Sequence, residues 1–189
     1  MHAHSSFASL LDNSLMIKDY RQLIRRLHGF YVPLDAAIQE TLRRSADTRG
    51  YDYAARSSLL GKDMIDLGYS ERAVADAPQC PDMAELVTPV TLGGVLYVIE
   101  GATLGGAGID RAVQRMLPGS GVDGRRYWAW CRAQGRTRWD MANAYLEDRT
   151  CDGVSIDDLK RGALGTFRLL ADWLAPLDRA KAPASAERV

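Results

Sequence analysis

The chain has 189 residues, 47% apolar and 25% charged, with 24 basic and 24 acidic side chains that cancel. Such a length and composition suit one domain with a substantial core, and the balanced charge excludes partners recruited through bulk charge, so neither nucleic acid nor a membrane surface is expected. The three cysteines, Cys80, Cys131 and Cys151, are odd in number and lack metal-ligand spacing, which reads as reduced thiols in a cytoplasm. A cytoplasmic location also fits the opening MHAHSSFASLL, which lacks the basic region and long apolar core of a secretion signal.

Apolar residues recur at helical rather than alternating spacing through nearly the whole chain. A first helix is predicted over residues 5–11 and a second over 17–44, with Leu23, Leu27, Phe30, Leu34 and Ile38 on one face. Pro33 lies inside the second, where it removes a backbone donor and should bend the helix. A third helix is predicted over residues 54–67, stopped by Gly68. Residues 69–88, with Pro78, Cys80 and Pro81, read as a surface connection. Helix resumes over 91–117 and stops at Pro118-Gly119. After a loop over 120–124, another helix covers 127–147, and a turn follows at 150–154. Ser155 then caps a last helix with Asp157 and Asp158 in its first turn, running to Leu174 and ended by Pro176. The pattern predicts one all-α domain over residues 1–176 and a disordered tail over 177–189.

The stretch TLGGVLYVIEGATLGGAGIDRAVQRML is the least ordinary part of the chain. Gly93, Gly94, Gly101, Gly105, Gly106 and Gly108 should each cost about 1 kcal/mol relative to alanine inside a helix. Two physical reasons could justify them: close approach of another helix or a flat ligand to bare backbone, and bending where the helical ladder is weak. A membrane span is excluded because Glu100 and Asp110 interrupt the apolar run. Helix packing is the ordinary account of a lone GxxxG pair, but a cluster this dense favours a ligand.

The same stretch carries a resemblance. LYVIEGATLGG is similar to the distal-helix motif of bacterial heme oxygenases, Leu-Tyr-Val-x-Glu-Gly-Ser-x-Leu-Gly-Gly, and other segments match in the same order. DYRQLIRRLHGFYVPLD resembles that family's Tyr-x-x-Leu…Gly-Phe-Tyr-x-Pro-Leu-Glu signature, and RSSLLGKDMIDLG its Leu-x-x-Asp-Leu-x-x-Leu-Gly segment. RRYWAWCRAQG with Trp139 resembles the aromatic block after the distal helix, and GALGTFRLLADWL the final Ala-Thr-Phe…Trp-Leu helix. The matches run from about residue 4 to residue 174, closest to the phytochrome-associated members.

The resemblance implies a single-domain heme-oxygenase-like helical bundle with a kinked glycine-rich distal helix. It implies an enzyme that cleaves heme, its substrate and prosthetic group, with dioxygen and an external electron donor to biliverdin, ferrous iron and carbon monoxide. Implied partners are heme, a ferredoxin or other reductase, and a bacteriophytochrome receiving the biliverdin. Of the three histidines, His2, His4 and His28, the family's His-x-x-Leu pattern fits His4 best as iron ligand, with Phe7 at the leucine position and Ala8 where an acid is usual. His28 suits the core or the surroundings of the pocket. Gly101, Gly105 and Gly106 would let the distal helix pass close over the ring and select the carbon attacked. Ala102 stands where relatives commonly have Ser or Asp, so Thr103 or a main-chain group would hold that part of the water network. Glu100 reads as a structural partner for an arginine. Arg161 and Arg168, with Lys160 nearby, are candidates for the heme propionates, with Arg168 favoured and Tyr97 a hydroxyl contact. Arg132, Arg136 and Arg138 are candidates for docking an acidic electron donor. Two rivals remain: a non-catalytic heme-binding or shuttling protein on the same scaffold, and a thiaminase-like relative without heme. The latter would need a catalytic cysteine with acidic neighbours, which neither Cys131 nor Cys151 has in sequence.

Overall fold

The computed structural model of the chain describes residues 5–12, 14–44, 51–117, 119 and 121–179. Among them all regular structure is helical: α1 (Ser5–Leu11), α2 (Ile17–Arg44), α3 (Ser57–Asp66), α4 (Glu71–Ala75), α5 (Met83–Leu86), α6 (Leu92–Leu104), α7 (Gly106–Met116), α8 (Arg126–Cys151) and α9 (Ile156–Arg179). α6 runs between α8 and α9, while α2 packs against α3 and α9.

The expected face of α2 is the buried one, with Leu23, Leu27, Phe30, Leu34 and Ile38 all inside the core. Pro33 lies within the helix. The start of α3 falls three residues later than spacing predicts because it is set by a side chain from another helix. Asp35 of α2 accepts hydrogen bonds from the backbone amides of Arg56 (2.8 Å) and Ser57 (2.7 Å) and from the Tyr53 hydroxyl (2.6 Å). Two of the donors that a helix N-terminus leaves open are thereby satisfied. α3 ends where Gly68 takes φ +87°, a left-handed turn that favours glycine.

α8 begins in the same manner, since Asp63 of α3 accepts from the amides of Arg126 (2.7 Å) and Tyr127 (3.0 Å). Burial pushes the Asp63 carboxyl up to about 7, against the opposing pull of those two amides. A folded-state value above the ordinary 3.8 means that the folded chain holds the proton more tightly. This group's contribution to stability is therefore full below about pH 4 and is lost as pH rises through about 7. The stability that wild type gains over Asp63→Asn, read from urea midpoints, should shrink as pH rises from 5 to 8.

Three expectations are corrected. Residues 69–88 are not merely a surface connection: they hold α4 and α5, and bury Ala77, Cys80, Met83 and Val87. Ser70 marks the first of these short helices by accepting from the Ala73 amide at 3.2 Å. α8 runs to Cys151, four residues past its predicted end, before Gly153 turns the chain at φ +86°. Ser155 does accept from the Asp157 amide at 3.1 Å, but α9 continues through Pro176 to Arg179 because Leu177 still packs on the core. Residues 180–189 lie outside the described residues.

No single helix among the described residues is long and apolar enough to cross a membrane. α6 and α7 reach that length and composition only together, across a 45° bend. Both carry a buried carboxylate, Glu100 and Asp110, ion-paired with α8 or the residue just before it.

Candidate functional site

The glycine-rich stretch divides at Gly105 into α6 and α7, and its glycines serve two different ends. Gly93 and Gly94 face α9. A Cβ on Gly94 would land on the Leu159 carbonyl oxygen and stand 2.7 Å from the Ala163 nitrogen, so only glycine lets the two backbones touch. Gly162 of α9 returns the contact against the Thr91 carbonyl. Gly106 and Gly135 do the same between the glycine-rich stretch and α8, the first against Cys131 and the second 3.0 Å from the Thr103 carbonyl oxygen. Helix packing therefore accounts for much of the glycine density.

Gly101 and Gly105 serve the second end. Tyr97, Gly101, Gly105 and Ile109 recur every four residues, and with Val98 and Ala102 they form one face of the bent helix pair. That face, together with Phe7 of α1, Trp139 of α8 and Phe167 of α9, lines a cleft of about 230 Å³. The lining is four aromatic side chains against bare backbone and small side chains. Tyr97 and Trp139 pack on each other with ring centroids 5.0 Å apart, and Trp139 also covers Gly101, where a Cβ would stand 3.0 Å from the indole. On the far side Phe7 is buried and meets Trp128 edge-on at 6.3 Å. The volume falls below the roughly 300–1,000 Å³ usual for ligand pockets.

Behind the cleft lies a buried charge cluster. Glu100, fully enclosed, receives the guanidinium of Arg56 on one oxygen and on the other Arg138 (3.0 Å) and the Tyr51 hydroxyl (2.8 Å). Arg138 also donates to the Asp52 carbonyl at 2.6 Å. The reading of Glu100 as an arginine's partner fits this geometry, with two arginines rather than one. It leaves no carboxylate facing the cleft. Among the described residues the lining holds no carboxylate, histidine, lysine or arginine, so these walls can position and enclose a flat apolar molecule, with the Tyr97 hydroxyl as a polar group.

The candidate residues separate accordingly. Gly101, Ala102, Gly105 and Tyr97 line the cleft. Gly106 faces Cys131 instead. Thr103 is fully buried and donates its hydroxyl to the Ile99 carbonyl at 2.9 Å, inside its own helix, so it does not supply the cleft with a hydroxyl. His4 lies outside the described residues, immediately ahead of α1. His28 is buried, with its Nε2 3.5 Å from where a Gly61 Cβ would stand, and burial pushes its pKa down; it belongs to the α2–α3 packing. Arg161 and Lys160 pair with Asp158 and Asp157 one turn earlier. Arg168 is exposed, without an ion pair among the described residues, and follows Phe167 of the lining. The proposed docking arginines are dispersed: Arg138 is buried on Glu100, Arg136 pairs with Asp140 at 3.0 Å, and Arg132 reaches Asp110 at 3.1 Å. Burial pushes the Cys131 thiol up to about 12, and Cys131 sits against Gly106 rather than in the cleft, which leaves it unsuited to nucleophilic chemistry. Val98, Ile109 and Phe167 were not singled out from the sequence, although the four-residue recurrence from Tyr97 to Ile109 could have found the second.

Over 148 residues the chain is 26% identical to a protein of Xanthomonas campestris pv. campestris (strain 8004) named heme oxygenase, an overlap covering 78% of this chain and 84% of that relative. No family profile matches the chain, and no solved structure matches it.

Proposed function

We propose that the chain binds heme in the cleft between α1 and the α6–α7 bend and degrades it, as a heme oxygenase producing biliverdin, ferrous iron and carbon monoxide. The observation that carries the reading is the juxtaposition of Phe7 on α1 with Ala102 and the main chain at Gly105 near the α6–α7 bend, beside the Tyr97–Trp139 wall that closes over Gly101. A flat macrocycle can lie directly on main chain only where no Cβ intervenes, and aromatic walls suit its apolar faces. The similarity to a protein named heme oxygenase supports the same reading.

Within it, His4 would hold the iron through a neutral imidazole. Only Ser5 and Ser6 separate it from Phe7, three steps of chain that span at most about 10 Å, so a ligand bound beside Phe7 is within its reach. Arg168 holds a propionate by paired hydrogen bonds, with Tyr97 as a second polar contact. The heme and dioxygen supply the oxidative chemistry. Gly101, Ala102 and Gly105 contribute close, water-excluding backbone, Thr103 and Gly106 hold α6 and α7 in shape, and electrons come from a ferredoxin or other reductase. A bacteriophytochrome is the proposed recipient of the biliverdin.

Ala102 in the lining favours a second reading, a heme carrier that does not turn over, because it places a methyl group where a hydroxyl or carboxylate would order water. One absorption experiment separates the two. The purified chain should bind hemin one-to-one with a histidine-type Soret band, which ascorbate or ferredoxin with its reductase converts to the broad red absorbance of biliverdin. His4→Ala should lose both. A Soret band that survives reductant and oxygen selects the carrier, and no Soret shift at one-to-one stoichiometry sinks both readings.

A further inference from the structure

The walls of the cleft differ in what they can adjust. Gly101, Ala102 and Gly105 are main chain and methyl, fixed by the packing of α6 on α8 and α9 and of α7 on α8. Phe7 rides on a short helix. Trp139 is the largest side chain in the lining, and it is held on several sides. Its ring closes over Gly101, where a Cβ would stand 3.0 Å away, and packs at 53° against Tyr97 with centroids 5.0 Å apart.

The backbone carrying it is pinned as well. Arg138, one residue before Trp139, is tied to Glu100, one residue before Gly101, and to the Asp52 carbonyl. The buried ion pair thus sets the register of the α8 turn bearing the indole against the α6 turn it covers. The indole cannot slide along α6 without breaking a buried charge pair.

We infer that Trp139 is the specificity-determining wall of the cleft: covering Gly101, it fixes the in-plane position and rotation of a flat macrocycle lying beside it on the Ala102–Gly105 stretch, and so decides which edge of that ligand sits beneath the helix bend. The inference rests on the heme-binding reading above. An apolar indole accepts the methyl and vinyl edge of a porphyrin and rejects the propionate edge, because carboxylates desolvated without a partner are costly. The propionates are left to the exposed side, for which Arg168 is the cation proposed above. Trp139 touches the ligand but exchanges no proton or electron with it.

The test uses the full chain loaded with hemin, in its ferric cyanide form, with proton NMR of the hyperfine-shifted heme methyl groups as the readout. These signals report how the ring is seated and need no turnover. Wild type should give one dominant set. Trp139→Ala should give a second set or a changed order of methyl shifts, with a matching change in the ratio of biliverdin isomers, and Trp139→Phe a smaller second set. If Trp139→Ala fails to fold or to hold hemin, the Phe variant decides alone. Methyl patterns like that of the wild type in every variant that binds overturn the inference and leave heme binding standing. Absence of hemin binding by the wild type overturns the binding reading and this inference together.

Discussion

Glu100→Leu should destabilise the chain by about 3–5 kcal/mol, the usual cost of removing one member of a buried ion cluster. At this chain length that lowers Tm by roughly 6–20 °C. The size follows from what is left behind. Arg56 and Arg138 are both buried and keep their charges, since guanidinium does not deprotonate at accessible pH. With Glu100 gone, two cations face each other in the interior. Arg56 retains its hydrogen bond to the Ala54 carbonyl and its position over the Tyr53 ring, and Arg138 retains the Asp52 carbonyl. None of these neutralises charge. Glu100→Gln should be milder, because an amide oxygen can still accept from Tyr51 and Arg138. Replacing all three members by leucine and methionine should recover much of the loss, as apolar substitutes for buried ion clusters often do. Thermal unfolding followed by circular dichroism checks the series, and a Glu100→Leu Tm within 2 °C of wild type would show that the cluster carries no net stability.

Gly94→Ala should be more disruptive still relative to its chemistry, which is one methyl group. In an isolated helix the change would stabilise by about 1 kcal/mol. Here the new Cβ meets the Leu159 carbonyl and the Ala163 nitrogen, both main chain, so α6 and α9 must separate. Separation undoes packing around Leu92, Val95, Leu96 and Leu159, and a net loss of about 3 kcal/mol or more is expected from overpacking of this kind. Gly108→Ala supplies the contrast. Among the described residues its Cβ would meet only Leu11 Cδ2, at an ordinary 3.7 Å, and it should stabilise by about 0.5–1 kcal/mol. Urea midpoints for the two variants should move in opposite directions. If Gly94→Ala were neutral or stabilising, the α6–α9 contact would be far looser than described.

How much of this was legible in the sequence depended on whether the signal was local. α1 and α2 announce themselves by apolar spacing, and their ends fall as predicted. α4 and α5 are too short for any period to be seen among Pro78, Cys80 and Pro81, though Ser70 followed by Glu71 is a cap signal. The glycines show the limit most clearly. Gly94 and Gly105 look alike in the sequence, yet one admits a helix and the other borders a cleft, and only the position of α9 decides between them. Arg138 similarly reads as one of several arginines on a helix. Its burial follows from the register between α8 and α6, which the apolar pattern of α8 does not reveal. For the candidate site, Tyr97, Gly101, Ala102 and Gly105 were singled out through the dense glycines and the motif LYVIEGATLGG, whereas the stripe that also carries Ile109 went unread. Trp139 and Phe167 belong to it through tertiary packing alone.

The borrowed caps at Asp35 and Asp63 bear on how the chain assembles. α3 has its first amides satisfied by a residue 21 positions upstream, and α8 by one 63 positions upstream. Neither helix carries its own start signal, so each is marginal until its neighbour is in place. Assembly is therefore sequential in logic: α2 templates α3, and α3 templates α8, which then brings Arg138 to Glu100. Such long-range dependence raises contact order and slows folding relative to a bundle of self-capped helices. It also makes the molecule hard to divide, since a break between α3 and α8 would leave the second piece without the carboxylate that begins its longest helix.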